Sequence, residues 1–459
     1  MVETLILVRH AKAEDESESG RDFDRELTHA GVFSCNAAME QAASIIKSRY
    51  GTIKTSGKYS NASAPGLTLW TSPAPRAAQT ACILANKIGY KTKDIEELPW
   101  LYEADSREFL NHMTDISGTL VVVGHNPCLE DVASDLLDEK VTLKKAAAIA
   151  LDLEDSGNTN QNQDQTSFKA RISWFLQGPD HKNWNTLCEI EQTLAIAAQR
   201  ILTNAQELAF DQNDAETLHQ YRVSLRVARS LALFVAPYFK RAEAKELLQL
   251  LKGLQAETSR LREYDVMWEL LTTGDALRTY ADAHMIALKL LPVRAKERSR
   301  FTEYFMSRKT QRAILQATEL MQNIPWCKVA LNQGIPNKDF CARFDSMAAN
   351  YAQDLALCDF NDALATHDIR KRSKQLRYVA RDFSVLLGEK RGEAESQAED
   401  MQELLGRLCD ARVNLRIAQE LSADVPQQTP EFIQVQPDAQ TFIASEQKTV
   451  DDLLEELSQ

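Results

Sequence analysis

Residues 4–10 read Thr-Leu-Ile-Leu-Val-Arg-His: a short apolar run that stops abruptly in a guanidinium and an imidazole. Two further runs end in a comparable way. Leu67–Thr71 leads through Ser72-Pro73-Ala74-Pro75 to Arg76, and 119–123 leads through Gly124 to His125. Together with 147–151 and 171–176, these runs are rich in β-branched or bulky apolar residues and read as strands. Between them, 28–48, 76–88 and 129–137 carry the spacing of amphipathic helices. Strands alternating with helices predict an α/β domain over residues 1–177, a mainly parallel sheet with helices on both faces. Two segments interrupt the rhythm: a Gly/Ser/Lys-rich insertion at 50–66 and a polar, low-complexity stretch at 155–166, expected to be a hairpin tip.

After Gln177-Gly178-Pro179-Asp180 the pattern changes. Strand signals vanish and long Leu/Ala/Glu/Arg stretches predict an all-α helical bundle. The organisation expected is therefore 1–177, a linker at 178–186, a helical domain at 187–422 and an acidic tail at 423–459. The chain has 459 residues, enough for two or three domains, and 44% hydrophobic with 26% charged residues excludes wholesale disorder. No apolar run reaches the ~18 residues of a membrane span, and the N-terminal one is too short for a signal peptide, so a cytoplasmic protein is expected. The 8 cysteines form no C-x-x-C pair, which favours reduced thiols over disulfides or a zinc ribbon. A net charge of −13 argues against a general nucleic-acid binder while leaving room for local basic faces.

In an open α/β sheet, ligands bind beyond the carboxyl ends of the strands, which is where Arg9, His10, Arg76 and His125 fall. An imidazole can attack phosphorus and hold a phosphoryl group covalently. Guanidinium groups match phosphate bidentately and stabilise its oxygens in the transition state, and a second imidazole can donate a further hydrogen bond. No metal-ligand set is visible, no cofactor is called for, and two arginines with histidine make a metal unnecessary. Each residue alone has an ordinary structural explanation; their joint placement at strand ends is what points to a phosphate site.

The helical half contains an internal repeat. His219, Arg222, Arg226 and Arg229 are spaced 3, 4 and 3 apart, and His367, Arg370, Lys374 and Arg377 repeat that spacing 148 residues later (367 − 219). An R-x-x-D follows each row, at Arg262…Asp265 and Arg407…Asp410. From His219 to Arg241 there are five basic residues and no acid; from His367 to Arg381, six basic residues and one acid. A charged row is usually a solvated helix face, but like charges at i, i+4 repel one another, and a duplicated row of this kind makes most sense beside a bound polyanion.

The segments LVRHAKAE (7–14), LTHAG (27–31), SPAPRAAQT (72–80) and VVGHNP (122–127) resemble the histidine phosphatase superfamily, in particular its SixA-type phosphohistidine phosphatase branch, over about residues 3–177. That resemblance implies His10 as the phosphorylated nucleophile, Arg9 and Arg76 as phosphate clamps and His125 as the second phosphate-contacting histidine, with Glu103 as candidate general acid. The two basic rows, with RYVARDF and GRLCD after the second, resemble the conserved-histidine α-helical (CHAD) domain over about 184–422. This implies paired helical bundles around a basic channel that binds inorganic polyphosphate; Glu263 and Cys409 depart from the Asp and Asn expected at their positions. The combined expectation is a metal-independent phosphatase, acting through a phosphohistidine intermediate on a phosphohistidine-bearing protein and joined to a polyphosphate-binding module, in the cytoplasm and associated with polyphosphate granules. Two alternatives stay open: a polyphosphate-binding scaffold with a silent phosphatase domain, and a phosphatase acting on small phosphoesters or on polyphosphate ends.

Overall fold

A computed structural model describes residues 2–50, 66–154, 169–273, 276–280, 282–388, 392–423 and 441–458. The inserted and low-complexity segments noted above, apart from their flanks, lie outside the described residues, as does much of the acidic tail.

The chain divides into two compact units, residues 1–188 with 328–336, and 189–327 with 337–459. In the first, six strands among the described residues form one sheet: β1 (Val2–Arg9), β2 (Leu67–Thr71), β3 (Glu96–Glu97), β4 (Gly118–Gly124), β5 (Ala148–Glu154) and β6 (Lys169–Leu176), in the order β3-β2-β4-β1-β5-β6. The pairs β2–β3, β2–β4 and β1–β4 are parallel, while β5 runs antiparallel to both β1 and β6. The sheet is thus mixed: a parallel block with a hairpin added at one edge. The short edge strand β3 carries no apolar signal, since both its residues are exposed glutamates.

Both faces of the sheet are covered, and β1 shows how. Ile6 and Val8 pack into one core with Met39 and Ile46 of α1 (His29–Tyr50) and Leu84 and Ile88 of α2 (Pro75–Ile88). Leu5 and Leu7 pack into the other with Phe109 of α3 (Ser106–His112) and Leu129, Val132 and Leu136 of α4 (Cys128–Leu137). Alternation along an extended chain sends successive side chains to opposite faces, so a continuous apolar run is what a doubly covered strand requires.

The remaining helices are α5 (Lys182–Phe210), α6 (Ala215–Val235), α7 (Arg241–Glu257), α8 (Ser259–Thr273), α9 (Ala276–Thr279), α10 (Ala283–Met306), α11 (Arg308–Gln322), α12 (Lys328–Gln333), α13 (Asn337–Ala356), α14 (Ala363–Asp382), α15 (Ser384–Leu387), α16 (Gly392–Ala423) and α17 (Phe442–Ser458). α5 begins at Lys182, inside the segment expected to be a linker, and α17 packs Val450 and Leu453 against Leu408 and Ala411 of α16. The repeat extends to the helix caps: Asp214 starts α6 by accepting from Glu216 and Thr217 N–H groups, and Asp362 starts α14 by accepting from the Leu364 N–H. Each cap stands five residues before the histidine of its row. All eight cysteines are free thiols, three of them buried. Among the described residues no helix is long and apolar enough to cross a membrane.

Gly31 gives a direct test of the packing around the first unit's site. A Cβ there would lie 2.0 Å from the Lys12 carbonyl oxygen, which also accepts the Thr28 N–H at 3.0 Å. Glycine to alanine within a helix ordinarily stabilises. Gly31→Ala should instead destabilise by about 1–3 kcal/mol through overpacking, measured by urea unfolding; an increase in stability would show that the contact yields freely.

Candidate functional site

Strand order builds the first site. β1 and β4 are neighbours in parallel register with Arg9 opposite Gly124, and the His10 N–H donates to the Gly124 carbonyl at 3.1 Å. His10 and His125, each the first residue past its strand, therefore stand side by side, with ring centroids 5.0 Å apart. β2 pairs with the other edge of β4, and the Ser72 N–H donates to the Val123 carbonyl at 3.1 Å, so Ser72 and the first turn of α2, with Arg76, complete the cluster.

His10 is buried, and its Nδ1–H donates to the Ala11 carbonyl at 2.7 Å. In the neutral ring this leaves the Nε2 lone pair free, the state a nucleophile needs. Burial, then the charge field of His125 and of the Arg76 and Arg9 guanidiniums, lowers its pKa to about 3. His125 lies 2.9 Å from the Ser72 hydroxyl through Nε2, while its Nδ1 is buried without a hydrogen-bond partner among the described residues. Burial and the same two guanidiniums bring its pKa to about 4. Both rings are thus neutral near pH 7, and both feel Arg9 and Arg76 together, so the four residues share one field.

Arg9 donates to the Leu143 carbonyl at 2.7 Å. Arg76, with a side chain only 6% exposed, donates to the Asp22 carbonyl at 2.5 Å and its carboxylate at 2.7 Å. The Tyr102 hydroxyl donates to the same carboxylate at 3.0 Å, and the Tyr102 ring meets both the Arg76 guanidinium and the His125 ring. A hydrogen bond from Arg25, followed by those from Tyr102 and Arg76, outweighs partial desolvation and lowers the Asp22 carboxyl to about 2. Asp22, Tyr102 and Ser72 were not singled out from sequence. Glu103 was, but its side chain is exposed, and its backbone N–H closes the turn onto the Trp100 carbonyl. The acid that the fold brings to the pocket is Asp22.

In the second unit α6 and α14 pack together and present their rows to a common cavity of about 540 Å³. His219, Arg222, Arg226, His367, Arg370 and Lys374 line it, six of the eight residues expected. Arg229 lines an adjoining cavity of about 340 Å³ that also includes Arg226 and Lys374. Arg377 instead meets Glu399 at 2.8 Å. Arg262 and Lys371 add charge to the central cavity, against Glu263 and Asp410. Glu263 pairs with Arg416 at 2.8 Å and Asp410 with Arg370 at 3.2 Å. The first R-x-x-D acid, Asp265, is fully buried between Arg294 and Arg298. The two copies of that signature thus do different work, one bracing α8 on α10 and one facing the cavity.

Burial, followed by repulsion from Arg370 and Arg226, lowers Lys374 to about 7. Burial also lowers Arg222, to about 10, with Arg226 the next cause. His219 and His367 are lowered by burial and neighbouring cations as well. The buried ring nitrogen His219 Nδ1 and the buried Arg370 Nε–H have no partner among the described residues.

Residues 192–419 match the CHAD domain family. The CHAD region thus contains both basic rows and the cavity they line. Among solved structures, a CHAD domain from the plant Ricinus communis is similar at 21% identity, covering 59% of this chain and 86% of that one with a TM-score of 0.44. PptA from Streptomyces chartreusis is similar at 14% identity, covering 59% and 94% with a TM-score of 0.41. For the N-terminal region, a SixA phosphohistidine phosphatase structure from Agrobacterium tumefaciens is similar at 24% identity, covering 38% of this chain and 98% of that one with a TM-score of 0.29. No curated protein matches the chain.

The depressed histidine pKa values make a prediction that is independent of function. In NMR titrations the His10 and His125 imidazoles should show no transition between about pH 5 and 8, unlike an ordinary histidine. A transition near 6.5 in either ring would remove the case for a neutral, preorganised pair.

Proposed function

We propose that the first unit is a phosphatase that passes its phosphoryl group through His10, and that the CHAD region binds inorganic polyphosphate. The observation that carries the first half is the His10–His125 pair, with a free Nε2 on His10 inside the field of two arginines. His10 Nε2 attacks phosphorus, the bond from phosphorus to the leaving group breaks, and the bonding pair departs with that group. Water then attacks the phosphohistidine, the P–N bond breaks, and orthophosphate leaves with neutral His10 restored. Arg9 and Arg76 hold the phosphoryl oxygens while charge redistributes, and the guanidiniums supply this without a resident cofactor.

The substrate class follows from the acid. Asp22 is ionised at neutral pH and has no proton to give. An alkoxide leaving group needs a general acid, whereas the imidazole of phosphohistidine departs as a neutral ring once its other nitrogen carries a proton taken from solvent. This supports a phosphohistidine-bearing protein as substrate over alkyl phosphoesters.

His10→Ala should abolish turnover, and Arg76→Ala should cost on the order of 100-fold in kcat/KM. A panel of phosphohistidine protein, p-nitrophenyl phosphate, alkyl phosphate and polyphosphate measures both the mechanism and the preference. Undiminished turnover by His10→Ala would overturn the mechanism and favour a scaffold, and equal rates on alkyl phosphate and phosphohistidine would overturn the substrate class.

For the CHAD region, support comes from the concentration of cations and unpartnered side-chain nitrogens in one cavity of an acidic protein. The polyphosphate-granule association expected from sequence belongs to this reading. A polyanion raises the Lys374 pKa, so binding takes up a proton. Affinity should be greatest below about 7 and fall as pH rises from there toward the ordinary lysine value of 10.5. Calorimetry in buffers of different ionisation enthalpy measures that uptake, and Lys374→Arg should reduce it to the part that His219 and His367 contribute. Identical uptake by that variant would remove Lys374 from the role.

A further inference from the structure

Beyond the paired rows, α6 and α7 enclose a groove of about 610 Å³. Arg229, Arg241, Lys245 and Lys252 line it, and no Asp or Glu does. Residues 241, 245 and 252 fall at i, i+4 and i+11, one face of α7. Of the three acids of α7, Glu246 accepts from Gln316 and Glu257 pairs with Arg300 at 2.9 Å, while Glu243, in the first turn, does not line the groove. Among the described residues, no ion pair engages any of the four groove cations. In a chain of net charge −13, four unpaired cations around an apolar floor are not the cheapest way to make a surface. The floor supplies no competing counter-ion, and its low polarity strengthens whatever charge pairing occurs above it.

The groove and the central cavity are both neighbours of the 340 Å³ cavity. The adjoining 340 Å³ cavity shares Arg226 and Lys374 with the central cavity and Arg229 with the groove. Arg226 and Arg229 therefore stand between the paired rows and the cations of the groove. Asp368 is the one acid among the lining residues of that middle cavity, and it is paired with Lys371 at 3.1 Å.

We infer that the groove between α6 and α7 is a second segment of the polyanion site, which takes the part of a long linear polyphosphate that extends out of the central cavity. This rests on the polyphosphate reading of the CHAD region and adds chain-length selectivity to it. A short chain fills the central cavity alone. A long one engages the cavity and the groove as linked sites, the second contact being made at high effective concentration.

The full-length protein should be titrated with tripolyphosphate and with long-chain polyphosphate at one fixed salt concentration. The triple variant Arg241→Glu, Lys245→Glu, Lys252→Glu should weaken long-chain binding on the order of 10-fold or more while leaving tripolyphosphate binding unchanged. Unchanged tripolyphosphate binding also establishes that the variant is folded. The corresponding Gln triple, which removes charge without reversing it, should act in the same direction. Arg222→Glu with Arg226→Glu should weaken both ligands.

If the groove variants bind long chains as tightly as the wild type does, the groove is overturned and the central site stands. The same holds if they lose short and long chains equally. If the wild type binds neither ligand, the polyphosphate reading itself falls. If duplex DNA competes as well as long polyphosphate and is lost in the same variants, the groove is a general basic surface and the inference is overturned.

Discussion

Everything in the first unit depends on β4 lying between β1 and β2 with all three strands pointing the same way. Parallel pairing brings carboxyl ends together, so that residues far apart in the chain become neighbours where backbone pairing stops. His10 and His125 are each held by the end of a ladder: the His10 N–H is still bonded to Gly124, and Ser72, which meets His125, is bonded to Val123. The cluster is therefore positioned by backbone hydrogen bonds in the most buried part of the sheet rather than by loop conformation. The two cores then hold β1 from both sides.

The second unit faces a different constraint. Bringing Arg222, Arg226, Arg370 and Lys374 around one cavity costs electrostatic energy, and the response is visible in individual groups. Asp410 partly neutralises Arg370, and Lys374 gives up much of its hold on its proton. Arg222 is held by the Thr258 and Ser259 hydroxyls at 2.7 and 2.8 Å, neutral acceptors that fix its direction without cancelling its charge. Positive charge is kept available rather than quenched.

Much of this architecture was legible in the chain. The strand at Leu67–Thr71 coincides with the expectation, and the other four expected strands are enclosed or overlapped by β1, β4, β5 and β6, because an apolar run of β-branched residues has few alternatives; β3, two exposed glutamates, gave no signal. The direction of β5 and β6 was not legible: burial pattern is the same whether a neighbour runs parallel or antiparallel. α3 is seven residues long with Phe109 alone buried, too little for a periodicity to register. Asp22 reaches Arg76 across 54 residues and Tyr102 across 80, so only the folded chain shows the contact. The basic rows were read from spacing, and spacing also explains where they depart from one cavity. The first and last members of a row are ten residues apart, about 15 Å along the helix axis, so one cavity does not span the whole row. Arg229 accordingly faces the next cavity, and Arg377 meets Glu399.

The carboxylate of Asp22 on Arg76 gives the pocket the character of an ion exchanger. On the proposed reading, an incoming phosphoryl group would not meet a bare guanidinium; it would have to outcompete a carboxylate already seated there, and what counts is the difference between the two. A singly charged, weakly coordinating anion gains little from that exchange, whereas a dianion with three oxygens gains on every contact. The displaced carboxylate keeps its bond to Arg25 at 2.5 Å, so it retreats to a partner and is at hand to reclaim Arg76 when orthophosphate departs. Selectivity against the abundant small anions, and prompt release of product, would then be two results of the same resident charge.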